Sequence, residues 1–263
     1  PQQMDWNPHA VVPRMSSTVV AHERGVEAAR WVLERLEDGD LDRRLLLLEW
    51  VRLLLERAPL IEPLGLKDIL LRRASDPVAE VANKVTLCLA KAIEADRDFG
   101  HQLALRLHER EETLVRRAMA DVLTRLFRRL TWDALPLLDD MLTSDDEGVL
   151  AAASATVGDV KYLDKEQWAD RLRQLADHPL AIVRRNLVPN LREYIEFDPA
   201  DSRGLFHQLW KDGDEVVRTR LRELMLRMEE VAPDRFAAQV KALHEVQADL
   251  GPLWEPLALR RAE

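Results

Sequence analysis

Residues Ala134 to Gly158 read ALPLLDDMLTSDDEGVLAAASATVG. Leu135, Leu137, Leu138 and Met141 place apolar groups at helical spacing, and the polar Ser144-Asp145-Asp146 then interrupts them. Beyond that turn, Val149, Ala153 and Val157 stand at offsets 0, +4 and +8, which fall on one face of a second helix. Working outward from Val149 in steps of 34 residues meets Val81, Val115, Val183 and Val217. Four residues after each valine come Val85, Met119, Ala153, Leu187 and Leu221; eight after come Leu89, Leu123, Val157, Leu191 and Met225. All fifteen positions are apolar. A helical face repeated at fixed spacing predicts a solenoid of helix pairs.

Each period holds a first helix, A, with apolar residues eleven and eight before the valine, such as Leu138 and Met141 or Leu172 and Leu175. A short polar turn follows: Ser75-Asp76-Pro77, Asp177-His178-Pro179, Asp212-Gly213-Asp214. Asp and Ser suit a helix N-cap and Pro suits a first turn, so a second helix, B, is expected at or just before the valine. Offsets 0, +4, +8 and +11 form its buried stripe.

This spelling resembles the HEAT-repeat family. The Leu-Pro-Leu-Leu run, the acidic turn and the Ala-rich second helix of residues 134–158 carry the resemblance, as do the pairs Val115-Arg116, Val183-Arg184 and Val217-Arg218. Ala82 and Leu150 stand where the pattern has arginine. The resemblance spans about residues 60–230 and implies an all-α, right-handed armadillo-type α-solenoid of about six helix pairs. It also implies that Arg116, Arg184 and Arg218 tie to turn aspartates of neighbouring repeats, with Asp76, Asp145, Asp177 and Asp212 available. A 34-residue period also suits tetratricopeptide repeats, but their Trp, Leu-Gly and Tyr spacing is missing from helix A.

The ends are degenerate. Leu47, Val51 and Leu55 keep phase one period before Val81, so residues 22–58 read as a capping repeat. Residues 59–231 read as five repeats, 232–263 as a C-terminal capping helix (placed over 234–249) and tail, and 1–21 as an irregular arm. One continuous domain is expected, since solenoid repeats share a core with their neighbours.

Composition narrows the function. A net charge of −9 provides no global basic footprint for nucleic acid. The one cysteine, Cys88, has no partner for an internal disulfide, which fits a reducing, cytoplasmic setting. No apolar run, Leu45 to Leu48 included, approaches the ~18 residues of a membrane span. Pro1 is followed by no basic-then-apolar leader.

At 100° per residue, offsets +2, +6, +9 and +13 of helix B point away from the buried stripe, toward the expected concave surface. Offset +2 reads Asn83, Arg117, Ala151, Arg185, Thr219; offset +6 reads Leu87, Asp121, Ala155, Pro189, Glu223. The small residues Ala151 to Ala155 suggest a shallow trough between Arg117 with Asp121 on one side and Arg185 on the other. Asn83, Arg117, Asp121 and Arg185 are therefore the candidate binding residues, suited to an acidic peptide, another anionic ligand or a phosphate backbone.

The stretch Arg106 to Arg129 holds seven arginines against four acids and reads as a solvated face with i,i+4 pairs. Trp132, Trp168 and Trp210 fall on A helices and suit core or inter-repeat filling, while Trp6 and Trp254 could pin the termini. His101 and His108 share a helix face without further metal ligands to match, and Cys88 at offset +7 reads as an inert core thiol. No phosphate-binding loop, H-E-x-x-H or G-x-S-x-G motif occurs. No catalytic residue, cofactor or metal is expected.

The function expected on this basis is a non-enzymatic scaffold or adaptor that grips another protein along its B helices. The first alternative is a HEAT-like DNA-binding protein, or an alkylpurine DNA glycosylase using tryptophan, aspartate and arginine in a basic cleft. No motif of that family matches residue by residue, and the tryptophans miss the concave offsets. The second alternative is a regulatory domain of a larger protein.

Overall fold

Asp40, Asp96, Asp164 and Asp198 each turn a side-chain oxygen onto a backbone amide at the start of a helix: those of Arg43 (3.1 Å), Phe99 (3.0 Å), Gln167 (3.0 Å) and Asp201 (3.0 Å). Such caps satisfy amides that have no partner within the helix, and here they punctuate an all-α chain. The structure, a computed structural model, describes residues 25–231 apart from 38, together with 233, 234 and 236. Among these there is no strand. The expected arm over 1–21, Trp6, Trp254 and nearly all of the C-terminal capping segment lie outside the described residues.

Six helix pairs follow one another among the described residues. The A helices are α1 (Gly25–Glu37), α3 (Leu66–Ala74), α6 (Arg97–His108), α8 (Leu135–Met141), α10 (Lys165–Ala176) and α13 (Pro199–Trp210). The B helices are α2 (Leu41–Leu54), α4 (Ala79–Thr86) continued by α5 (Leu89–Ala95), α7 (Thr113–Leu130), α9 (Glu147–Thr156), α11 (Ala181–Leu187) continued by α12 (Leu191–Phe197), and α14 (Glu215–Val231). This is the helical-repeat, α-solenoid class of fold. All fifteen residues of the valine ladder have 0% of their surface exposed.

The chain divides into two compact units between Ala152 and Ala153, inside α9. In the first, A helices α3 and α6 pack side by side, and B helices α2, α4 and α7 stack in order. In the second, α10 packs on α13 and α11 on α14.

The B helices are less regular than the ladder implies. Pro189 has no amide to donate, and a 3-10 turn, Val188–Asn190, separates α11 from α12. Between α4 and α5 the amides of Leu87 and Cys88 bond back only three residues, to Lys84 and Val85. Buried stripes survive these breaks because a 3-10 turn changes the rotation by a fraction of a residue.

The A helix α8 lacks the aspartate cap that its neighbours α6 and α10 carry. Asp164 and Asp198 are 34 apart and Asp96 lies two periods before Asp164; the position between them is Leu130. There α8 is preceded by a 3-10 turn, Thr131–Ala134, and Thr131 takes φ 54°, a region costly for a β-branched residue. Arg97 braces the turn by donating to the Leu130 carbonyl at 2.9 Å and the Asp133 carboxylate at 2.6 Å. Gly65, at φ 61°, leads into α3 where the left-handed backbone calls for glycine.

Candidate binding cleft on the B-helix face

The outward offsets of helix B are outward in fact. All five +6 residues (Leu87, Asp121, Ala155, Pro189 and Glu223) are exposed. Leu87 shows 52% of its surface, since it sits at the break between α4 and α5. Around it, within the first unit, lies a cleft of about 200 Å³ that runs over three successive B helices. Glu49 and Arg52 come from α2, Thr86, Leu87 and Ala90 from around the α4–α5 break, and Val122, Arg125 and Leu126 from α7. Leu87, Ala90, Val122 and Leu126 give it apolar lining beside the polar Thr86, and charged groups stand on the α2 and α7 sides.

The charges around the cleft form a pattern. Lys84 pairs with Glu49, Lys91 with Glu56, and Arg129 with Glu94. Each cation follows its carboxylate by 35 residues (84 − 49, 91 − 56, 129 − 94), one repeat plus one. Adjacent B helices are thus laced across their outer surface. Burial works against ionisation of Glu49, yet Lys84 and Arg52 together hold its pKa below the usual carboxylate value. Arg125 lies one period after Lys91, so its rung would need an acid at position 90. The residue there is Ala90. Arg125 is exposed and forms no hydrogen bond or ion pair among the described residues.

The four residues singled out from the sequence are divided between the units. In the first, Arg117 donates Nε and Nη2 to Asp146 at 2.9 and 2.8 Å, and Arg117 holds the Asp146 pKa down to about 2. Asp121 is exposed on the same helix, and Asn83 is half-buried on α4 with its carbonyl accepting the Thr86 hydroxyl at 2.7 Å. In the second, Arg185 makes the equivalent fork onto Asp214, at 3.0 and 2.6 Å. Both arginines therefore have two donors engaged. Asp146 and Asp214 also accept the amides of Val149 and Val217, each at 3.0 Å, so each aspartate caps its own helix while holding the preceding repeat.

The ladder of turn aspartates exists, shifted by one residue from the expectation. Arg184 forks onto Asp212 as expected, at 2.6 and 2.9 Å. Arg116 instead reaches Asp140, on α8, at 3.2 Å, and Arg218 donates to the Asp212 carbonyl of its own turn. The second arginine, at offset +2, makes the regular rung, because a guanidinium there lies over the next turn (146 − 117 and 214 − 185 are both 29). Asp76 is held by Arg44 and Arg73.

The Arg106 to Arg129 stretch departs from its expected i,i+4 pairing. Arg116, Arg117 and Arg129 find acids on neighbouring helices, 24, 29 and 35 residues away. Trp168 and Trp210 are buried as expected, but Trp132 is 50% exposed, since Ala134 takes the inward position of its 3-10 turn. His108 is half-buried and lies 3.2 Å from Asp140; burial lowers its pKa against the pull of that carboxylate. No group of metal-ligating residues assembles among the described residues. Cys88 is buried, and burial raises its thiol pKa to about 12. Among the described residues no helix is long and apolar enough to cross a membrane.

The B-face rungs and the Ala90 gap escaped the sequence reading. The 35-residue Glu-to-cation spacing is the signal for them, one residue off the valine period.

No protein-family model matches the chain, and no curated protein matches it. Solved structures do. An engineered protein aligns at 17% identity over 74% of this chain and 94% of its own, with a TM-score of 0.48. A designed armadillo repeat protein aligns at 14% identity over 81% and 99%, with a TM-score of 0.49. AlkD2 from Streptococcus mutans aligns at 14% identity over 81% and 95%, with a TM-score of 0.36.

Proposed function

We propose that this protein is a non-enzymatic scaffold of HEAT-like repeats that receives a segment of another protein on its B-helix face. The observation that supports it is the cleft at Leu87: a hollow crossing three B helices, with apolar lining from Leu87, Ala90 and Val122 and charged groups at Glu49, Arg52 and Arg125. Leu87 is set apart from the other exposed hydrophobic residues by standing in a concave site with convergent polar groups, the form a binding site takes. The rigid stack of helices beneath it lowers the ordering cost of binding. Asn83 and Asp121 would contact the partner in the first unit. Arg117 and Arg185 would do so only through donors and guanidinium faces their aspartates leave open. The segment would lie across the B helices, and its side chains would enter the cleft in turn.

A photo-crosslinking amino acid at Leu87, compared with one at Leu105, tests the reading. Leu105 is 41% exposed on an A helix, α6. A protein crosslinked from Leu87 and not from Leu105 is the expected result. Equal crosslinking from both sites, or none from Leu87, would refute the B-face assignment.

A further inference from the structure

Resting on that reading of the B-helix face, we infer that the partner segment carries a carboxylate that completes the rung missing at Ala90, with an aliphatic side chain beside it in the Leu87 cleft. Three rungs set the rule of the surface: a carboxylate on, or just past the end of, one B helix holds a Lys or Arg 35 residues on. Arg125 is the cation of a fourth rung whose acid is replaced by a methyl group. Its guanidinium is exposed, unpaired among the described residues, and on the rim of the cleft. The shortened side chain at Ala90 helps to make the space, and Leu87, Val122 and Leu126 make that space apolar.

The nearby charges choose the sign of the partner. Glu49, the acid that lines the cleft, is taken by Lys84 and Arg52, and the nearby Glu56 and Glu94 are taken by Lys91 and Arg129; Asp121, exposed one turn before Arg125 on α7, lies outside the lining. A carboxylate can form a bidentate, charge-assisted pair with Arg125 at little cost, because neither this guanidinium nor the rim is deeply desolvated beforehand. A nucleic-acid backbone fits less well: it would bring phosphates past Glu49, Glu56 and Glu94, on a chain of net charge −9. The occupant is therefore an acidic–aliphatic protein segment, with the acid and the aliphatic residue on one side of the chain.

A fluorescein-labelled peptide of repeating Glu-Ser-Leu-Ser is a suitable probe, since residues two apart share a face of an extended chain. Anisotropy titrations would compare it with the Gln-Ser-Leu-Ser, Lys-Ser-Leu-Ser and Glu-Ser-Ala-Ser peptides. The full chain should bind the Glu-Leu peptide about tenfold or more tightly than each of the others. Arg125→Gln, an exposed substitution that leaves the core untouched, should remove that preference for Glu over Gln. Ala90→Glu should supply the rung internally, melt no lower than the wild type and weaken the Glu-Leu peptide about tenfold. Equal binding of the Glu and Gln peptides would overturn the inference, as would wild-type affinity in either variant or displacement of the peptide by duplex DNA. A partner still crosslinked at Leu87 but indifferent to Arg125→Gln would remove this inference and leave the scaffold reading standing.

Discussion

Replacing Asp76 should unfold the first unit more readily than any other single change to a charged group described here. The carboxylate is 1% exposed. It accepts from Arg44 at 2.6 and 2.7 Å, from Arg73 at 2.7 Å and from the Val78 amide at 3.0 Å. The same residue's carbonyl accepts from Arg110 at 2.8 Å, so one turn gathers three arginines. The arginine side chains that flank the carboxylate, Arg44 and Arg73, are only 18% and 16% exposed. Asp76→Ala strands both of them; Arg73 keeps a 3.4 Å contact to Glu37, while Arg44 has no other ion pair among the described residues. Breaking a buried pair from one side costs about 3–5 kcal/mol, a large share of the ~5–15 kcal/mol that holds a domain folded. Asp76→Asn keeps an acceptor for the Val78 amide and nearly the same volume. Its cost should be smaller, about 1.5–3 kcal/mol, the worth of hydrogen bonds to a charged group. The assay is urea denaturation followed by far-ultraviolet circular dichroism at neutral pH, repeated in acid. Burial opposes ionisation of Asp76, but the Val78 amide and the arginines prevail, and its folded pKa is lowered. A carboxylate with a lowered folded pKa stabilises the protein fully above its unfolded value, about 4. That contribution fades as pH falls through the folded value. The gap between wild type and Asp76→Ala should therefore be full at neutral pH and narrow below about pH 4. A gap under about 1 kcal/mol at neutral pH, or one that stays constant into acid, would show that the cluster holds nothing together.

Other substitutions probe other parts of the structure. Thr131→Gly should stabilise the chain by about 1 kcal/mol, since it frees a β-branched residue from φ 54°; a lower melting temperature would refute the strain. Leu123→Ala, at a fully buried rung of the valine ladder, should cost about 2–5 kcal/mol in the same urea assay, and a cost below about 1 kcal/mol would mean the ladder is not the core. Cys88, with its thiol pushed up to about 12 and buried beneath the B helices, should resist a disulfide reagent at mildly alkaline pH until denaturant is added; prompt labelling of the folded chain would contradict its burial.

What the sequence determined by itself was the periodic part of the molecule. The offsets 0, +4 and +8 from each valine predicted fifteen fully buried residues, because burial in a stacked helix depends on side-chain direction and direction follows from the helical repeat. The exposed +6 row, Leu87 included, was legible for the same reason. Tertiary structure decided which charged groups meet. Arg117, and not Arg116, reaches the next turn, and Arg116 instead turns to Asp140, because a one-residue step rotates a side chain by 100° while two helices fix where the acids stand. It also decided that Trp132 faces solvent, since a missing cap replaces the first turn of α8 with a 3-10 turn. The gap at Ala90 belongs to both levels. The missing acid is written in the chain, but it became a cleft only when three B helices stacked and left Arg125 beside Leu87 with no carboxylate among the described residues to hold it.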